Sequence, residues 1–166
     1  MTIDIIGDID DYALPRLRQN LAQYNGDKEL TLKINSFGGY VDIAQAMCEE
    51  LIAFADKNDI VINTENTGDV MSAATLLFLL GNKRKFDAAK GDFLIHNPWC
   101  WNIGDAQSMY ECGDSLATLE DYFADYYAMT TGSDKAKIKE IMSKNDVMPI
   151  EDITAMNFAT EIIKTE

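Results

Sequence analysis

Short β-type runs alternate with segments of helical periodicity along this 166-residue chain, and that alternation restricts the fold more than any other feature. Strands are predicted at residues 1–6, 29–35, 60–64 and 93–96. Helices are predicted at residues 12–24, 41–55, 70–80 and 106–129, with two shorter ones that end at 143 and begin near 151. Strands that alternate with helices are typical of an α/β fold with a largely parallel sheet.

The carboxyl ends of the predicted strands indicate where a site can form, because ligands of open α/β sheets bind at that edge. Two glycine-containing segments, residues 36–39 and 67–69, are predicted to be turns there. The apolar run 70–80 is predicted to be a buried helix that begins directly after the second turn.

The composition limits the class of function. The formal net charge is −14, and a surface this acidic argues against nucleic acid and anionic membranes as partners. No secretory signal or membrane-spanning run is recognised, so we expect one domain over residues 1–166 in the cytoplasm. The three cysteines, Cys48, Cys100 and Cys112, lack the close spacing of a zinc or redox site. We expect them to be reduced packing residues, and we expect no bound metal.

Three features suggest a serine hydrolase. Ser72 lies among small residues, His96 is the only histidine, and Gly38-Gly39 follows a predicted strand. A serine hydroxyl needs a base within hydrogen-bond reach and donors for the oxyanion that forms on attack. His96 can supply the base, and the amides of Ala73 and of the glycine pair can supply the donors.

Three motifs carry a family resemblance. Residues 34–39 resemble the pattern I-N-S-P-G-G, with Phe37 in place of proline. Residues 68–74 resemble G-x-A-x-S-x-A, with Val70 at the first alanine, and residues 94–98 resemble M-I-H-x-P. Together they are similar to the proteolytic subunit of Clp protease, a serine peptidase. Thr131-Gly132 and a closing segment at 148–162 extend the resemblance over most of the chain.

The resemblance implies roles for particular residues. Ser72 would be the nucleophile and His96 the general base, while Gly39 and Ala73 would donate the oxyanion-hole hydrogen bonds. The third member of the triad falls at Asn145 or at Asp146 next to it. We prefer Asp146, because an anionic partner stabilises the imidazolium better than an amide does.

The resemblance also implies substrate contacts and an assembly. The substrate would be a peptide or protein, contacted by Phe37, Gly38 and Trp99, and no cofactor would be needed. The fold would be the spiral of ββα units that crotonases share, with a long protruding handle helix in the region of about 98–131. Family members stack two seven-membered rings through that handle, so we expect a homo-oligomer, as a heptameric ring or a stacked double ring.

The run His96-Asn97-Pro98-Trp99, followed by Gly104-Asp105-Ala106, resembles the Clp-related head maturation proteases of tailed phages and prophages. This subfamily implies cleavage of scaffold or capsid protein during head assembly. The chain starts close to its first strand, without the segment that forms axial loops in the housekeeping enzyme. An ATP-driven unfoldase is therefore a doubtful partner.

Other functions remain open at this point. A catalytically weak or inactive relative could serve as an assembly protein, since Phe37, Val70 and Asn145 depart from the family pattern. An acyl-CoA enzyme of the crotonase type would share the spiral fold but would not need a Ser-His pair. A Ser-Lys peptidase would use a lysine base, for which the candidates are Lys83, Lys85 and Lys90.

Overall fold

The structure is a computed structural model that describes residues 1–163. The chain forms two compact units. The first contains Met1–Leu94 and residues 147–163, and the second contains Ile95–Asp146. The predicted single domain of residues 1–166 stays a prediction, and its last three residues lie outside the described part of the chain.

Six parallel strands and six helices are found in the described residues. In chain order they are β1 (Thr2–Ile6), α1 (Ala13–Leu21), β2 (Glu29–Ser36), α2 (Val41–Asn58), β3 (Val61–Met71), α3 (Ala74–Phe78), β4 (Arg84–Asp87), β5 (Phe93–Leu94), α4 (Ala106–Thr131), α5 (Lys135–Lys144), α6 (Ile150–Ala155) and β6 (Glu161–Ile163). The sheet has the order β1-β2-β3-β4-β6, and β5 pairs with β3. The predicted α/β class is confirmed, with a parallel sheet and a long helix, α4, of 26 residues.

The core of the first unit follows from simple periodicities. On β2, Leu30, Leu32 and Ile34 alternate with more exposed residues and are fully buried, as the period of a strand requires. On α2, the buried residues recur every three or four positions; they are Ala44, Met47, Leu51 and Ala55. One face of that helix therefore packs inward while the other stays solvated.

Four buried phenylalanines connect distant parts of the sequence. They are Phe78, Phe86, Phe93 and Phe158, which meet edge-to-face with ring centroids 5.4–6.3 Å apart. Phe158 follows α6, so the C-terminal segment completes the core around β4 and β5. The buried guanidinium of Arg84 donates hydrogen bonds to the carbonyls of Asn157 and Phe158 and holds the same segment in place.

Strand β3 changes partners part of the way along its length. Thr64 and Glu65 pair with β4, whereas Val70 and Met71 pair with β5. Its register with β2 shifts over the same stretch, from Ile34 opposite Asn66 to Ser36 opposite Val70. Strand β3 therefore contains a two-residue bulge within residues 67–69, and it ends immediately before Ser72.

Two predictions about this region are wrong. The run 70–80 is not one helix, because Val70 and Met71 end β3 and the helix comprises only Ala74–Phe78. Residues 67–69 are not a turn but belong to the bulged strand. The reason is that a continuous apolar run has no periodicity that separates a buried strand from a buried helix. The strand predicted at 93–96 is also shorter, and it ends before His96.

The second unit is built on α4 and α5. The carboxylate of Asp105 accepts a hydrogen bond from the Ser108 amide at the start of α4, and Gly132 ends that helix at a φ of 75°. Lys135 and Lys139 of α5 form ion pairs with acidic residues of α4, which are Glu120, Asp121 and Asp125. Hydrogen bonds from these lysines lower the pKa of Asp121 below its usual value.

No helix in residues 1–163 is long and apolar enough to cross a membrane.

The cysteines do not all behave as expected. Cys100, in an exposed loop, forms a disulfide with Cys112 of α4, so the prediction of reduced packing residues is wrong for this pair. The pairing was not visible in the sequence because the two residues are 12 positions apart and one lies in a loop. Cys48 is free, and burial raises the pKa of its thiol to about 12, which keeps it protonated and unreactive.

Candidate active site

Ser72 occupies a sharp turn between β3 and α3. Its φ of 53° lies in the left-handed region, which costs a residue with a side chain about 1–2 kcal/mol. Hydrogen bonds hold it there: its amide donates to the Leu94 carbonyl at 2.9 Å, and its carbonyl accepts from the Thr75 amide and hydroxyl. A serine on a strained strand-to-helix turn presents its hydroxyl at the sheet edge, a common arrangement for nucleophiles.

The glycine pair lies directly against this turn. A Cβ on Gly38 would lie 2.6 Å from the Cβ of Ser72 and 2.9 Å from the Ala73 amide nitrogen, so no side chain fits there. Gly38 and Gly39 also have φ values of 97° and 146°, which favour glycine independently. The Ile9 backbone fixes the loop, because its amide donates to the Gly38 carbonyl at 2.8 Å and its carbonyl accepts from Tyr40 at 2.8 Å.

The amides of Gly39 and Ala73 are available to an incoming ligand. Within the described residues, neither N–H donates a hydrogen bond to a protein acceptor. Ala73 is one residue from Ser72, and Gly39 is one residue from Gly38. Two such donors beside a nucleophile can stabilise the negative oxygen that develops when a carbonyl is attacked. The structure thus brings together the predicted Gly38, Ser72 and Ala73 in the first unit.

His96 belongs to the second unit and follows β5 by two residues. The carbonyl of Leu94, which holds the Ser72 amide, is therefore two residues from the histidine along the chain. The imidazole is half-buried, and this burial lowers its pKa, while a hydrogen bond with the Asn97 backbone acts in the opposite direction. A lowered pKa keeps the ring neutral at pH 7, the form that accepts a proton.

Asn145 and Asp146 lie at the end of α5, in the same unit. Asn145 is the C-cap of that helix, with a left-handed φ of 53°, and both side chains are exposed. The amide of Asn97 donates to the Met142 carbonyl at 3.2 Å, which connects the residue after His96 to the last turn of α5. Asparagine is favoured at left-handed helix ends, so its occurrence at 145 has a structural cause.

The two predicted substrate contacts with large side chains are both exposed. Phe37 is 66% exposed and immediately precedes Gly38, and Trp99 is 75% exposed in the loop after His96. Large apolar side chains that remain in solvent are available to a ligand.

No group of three or more His, Cys, Asp or Glu side chains in residues 1–163 is arranged to hold a metal ion.

A set of polar side chains around the β3 bulge was not predicted to matter. Asn66 is only 1% exposed, and its amide group contacts the backbone of both Gly68 and Asp87. The Asn35 side chain accepts a hydrogen bond from the Asp69 amide at 3.1 Å. The signal in the sequence was a pair of asparagines within or beside otherwise apolar strand patterns, where a buried amide must find partners.

The left-handed turn at Ser72 leads to a prediction about stability. Glycine adopts this φ freely, so Ser72→Gly is expected to exceed Ser72→Ala in free energy of unfolding by about 1 kcal/mol. Urea denaturation at one protein concentration gives the comparison. Ala74→Gly is the control, because glycine inside α3 should lower stability by a similar amount. Equal stability of the two Ser72 variants would contradict the strained turn.

Comparison with known families agrees with this geometry. The sequence model described as Clp protease matches residues 2–166, which is nearly the whole chain. Serine peptidases make up this family, and the match includes the strand turns that hold the glycine pair and Ser72. The chain belongs to the Clp protease family.

Proposed function

We propose that this protein is a serine endopeptidase in which Ser72 is the nucleophile and His96 the general base. Family membership implies a serine peptidase without identifying the residues that act. The observation that supports the assignment best is the contact of Gly38 with the left-handed turn at Ser72, beside two amides without acceptors. Two amides of this kind beside a nucleophile suit an acyl-transfer reaction.

The proposed reaction has two stages. Ser72 Oγ attacks the carbonyl carbon of the scissile peptide bond while the neutral imidazole of His96 takes the hydroxyl proton. The oxyanion accepts hydrogen bonds from the amides of Gly39 and Ala73. When the C–N bond breaks, the imidazolium returns its proton to the leaving amine. Water, activated by the same imidazole, then hydrolyses the acyl-enzyme and regenerates the Ser72 hydroxyl.

We propose Asp146 as the residue that orients His96. Asn145 already has a structural reason for its identity, because it ends α5 in a left-handed conformation. Asp146 directly follows this turn and carries the negative charge that stabilises an imidazolium. The reaction needs no cofactor and no metal ion.

The substrate is proposed to be an extended segment of a protein. Phe37 and Trp99 present apolar surface for side chains of the substrate. The proposed biological role, cleavage of scaffold or capsid protein in phage or prophage heads, rests on the run 96–99 and on Gly104-Asp105-Ala106. In the structure, Asp105 is the N-cap of α4 and Ala106 its first residue, so the start of this helix also accounts for these residue types.

Members of the Clp protease family typically form oligomeric rings, and we propose a heptameric ring or stacked double ring for this chain. Apolar side chains remain exposed along α4, as a helix covered by other subunits would require; they are Met109, Tyr110, Tyr122 and Met129. No unfoldase partner is proposed. A cytoplasmic location also remains a proposal, and the Cys100–Cys112 bond is of a kind that is rare in that compartment.

The direct test of the proposed function is labelling with a fluorophosphonate, which modifies only activated serines. The assembled wild-type protein should be labelled stoichiometrically at Ser72, and Ser72→Ala should not be labelled. Mass spectrometry of the labelled peptide identifies the site. Ser143→Ala, which changes an exposed serine of α5, should label like wild type. A wild-type protein that resists the probe would instead indicate an inactive assembly protein.

The third residue can be identified by a pair of matched variants. Asn145→Gly keeps the left-handed helix end and should leave kcat within about twofold of wild type. Asp146→Asn should lower kcat by about a hundredfold or more, because the imidazole loses its anionic partner. Hydrolysis of a fluorogenic peptide over a range of pH measures both variants.

The same pH series tests the state of His96. The base works only when neutral, so kcat/KM should rise as the pH increases through the His96 pKa. Burial lowers that pKa, so the midpoint should lie below about 6.5, the usual histidine value. Loss of the Asp146 charge should move the midpoint lower still. A midpoint above about 6.5 would contradict the effect of burial on His96. Equal losses of kcat in the two variants would refute the assignment of Asp146.

The proposed assembly is tested by mass in solution. Analytical ultracentrifugation should find a particle many times heavier than the 18.6 kDa protomer. Replacing Met109 and Tyr110 together by serine should shift the distribution toward smaller species, because exposed apolar surface on α4 would be lost. A wild-type protein that sediments as a monomer would overturn the ring proposal.

A further inference from the structure

We infer that Asn35 and Asn66 are positioning residues for the nucleophile, because they hold the β3 bulge that sets Ser72 opposite Gly38. The inference rests on the proposed function of Ser72. It concerns a region that supplies no group to the reaction itself. We name the two side chains together the amide clamp.

The bulge determines which residue of the β2 loop lies beside Ser72. Before the bulge, Ile34 lies opposite Asn66, and after it Ser36 lies opposite Val70. Continued to the end of β3, the shifted register sets Ser72 opposite Gly38, which agrees with the close approach of these two residues. Without the two extra residues, the same count would set Ser72 opposite Tyr40. The oxyanion donor and the nucleophile would then no longer lie beside each other.

Asn66 stabilises the bulge through hydrogen bonds of its side chain within the sheet. Its Nδ2 donates to the carbonyls of Gly68 and Asp87, both at 3.0 Å, and its Oδ1 accepts from the Asp87 amide at 2.7 Å. The side chain is almost fully buried, so its removal would leave the Gly68 carbonyl and the Asp87 amide without these hydrogen bonds. The Asp87 carbonyl would keep the hydrogen bond that it accepts from the Lys90 amide. Asn66 therefore links the bulge to the end of β4, at the point where β3 changes partners.

Asn35 fastens the bulge from β2. Its Oδ1 accepts from the Asp69 amide at 3.1 Å, and a Cβ on Gly68 would overlap the Asn35 side chain. The Asp69 carboxylate in turn accepts from the Asp92 amide at 2.8 Å, and the Val70 amide donates to the Asp92 carbonyl at 2.9 Å. Hydrogen bonds thus connect the bulge to the segment that leads into β5. In β5, the Leu94 carbonyl accepts the hydrogen bond from the Ser72 amide.

Asn35 offers the cleaner test because it is partly exposed and makes a single side-chain hydrogen bond of known direction. Asn35→Ala removes the acceptor for the Asp69 amide, whereas Asn35→Asp keeps an oxygen acceptor in a side chain of the same shape. Asn63→Ala is the matched control. Asn63 lies in β3 and not in β2, but like Asn35 it is partly exposed and accepts from a backbone amide, that of Lys83 at 3.3 Å. It precedes the bulge.

The experiment measures the rate of fluorophosphonate labelling, kcat and KM for a fluorogenic peptide, and the melting temperature. Asn35→Ala should lower the labelling rate and kcat by about tenfold to a hundredfold with little change in KM, since a misplaced nucleophile affects the chemical step. Asn35→Asp should restore most of both rates. Asn63→Ala should keep wild-type rates even if its melting temperature falls.

The outcomes separate this inference from the proposed function. If the wild-type protein is labelled and Asn35→Ala is labelled at the same rate, the amide clamp does not position Ser72 and only the inference fails. If Asn63→Ala loses as much activity as Asn35→Ala, the effect is general destabilisation and the inference also fails. If the wild-type protein is not labelled at Ser72, the proposed function fails and the inference fails with it.

Discussion

The hydrogen bonds between β2 and β3 are the constraint on which the candidate site depends. They align two loops, one with the glycine pair and one with Ser72, and a register shift near the end of the pair decides which residues meet. The shift is even, so side chains after it stay on their original faces and Val70 remains in the core. One ladder of parallel pairing therefore serves both the core and the placement of the nucleophile.

Much of this arrangement could be predicted from the sequence. Alternating strands and helices indicate the parallel sheet, and the sequence alone identifies Ser72, His96 and the glycine pair as a set of candidate site residues. The structure confirms the class of fold, and it places Gly38 against Ser72.

The errors have physical causes. Residues 70–80 are apolar except for Ser72 and Thr75, so the hydrophobic periodicity does not reveal the boundary between β3 and α3 at Ser72. Gly68 suggested a turn, but it is glycine because the Asn35 side chain occupies the space of a Cβ. Strands β4 and β6 have only four and three residues, too few to show alternation. The Cys100–Cys112 bond depends on how a loop returns to α4, which local patterns do not contain.

The left-handed turn at Ser72 also restricts which nucleophile this fold can use. Threonine has the same hydroxyl chemistry, but its branched Cβ makes a positive φ far more costly than it is for serine. Cysteine is unbranched and carries no such penalty. The backbone conformation at residue 72 thus favours a nucleophile with an unbranched side chain, whether it carries a hydroxyl or a thiol group.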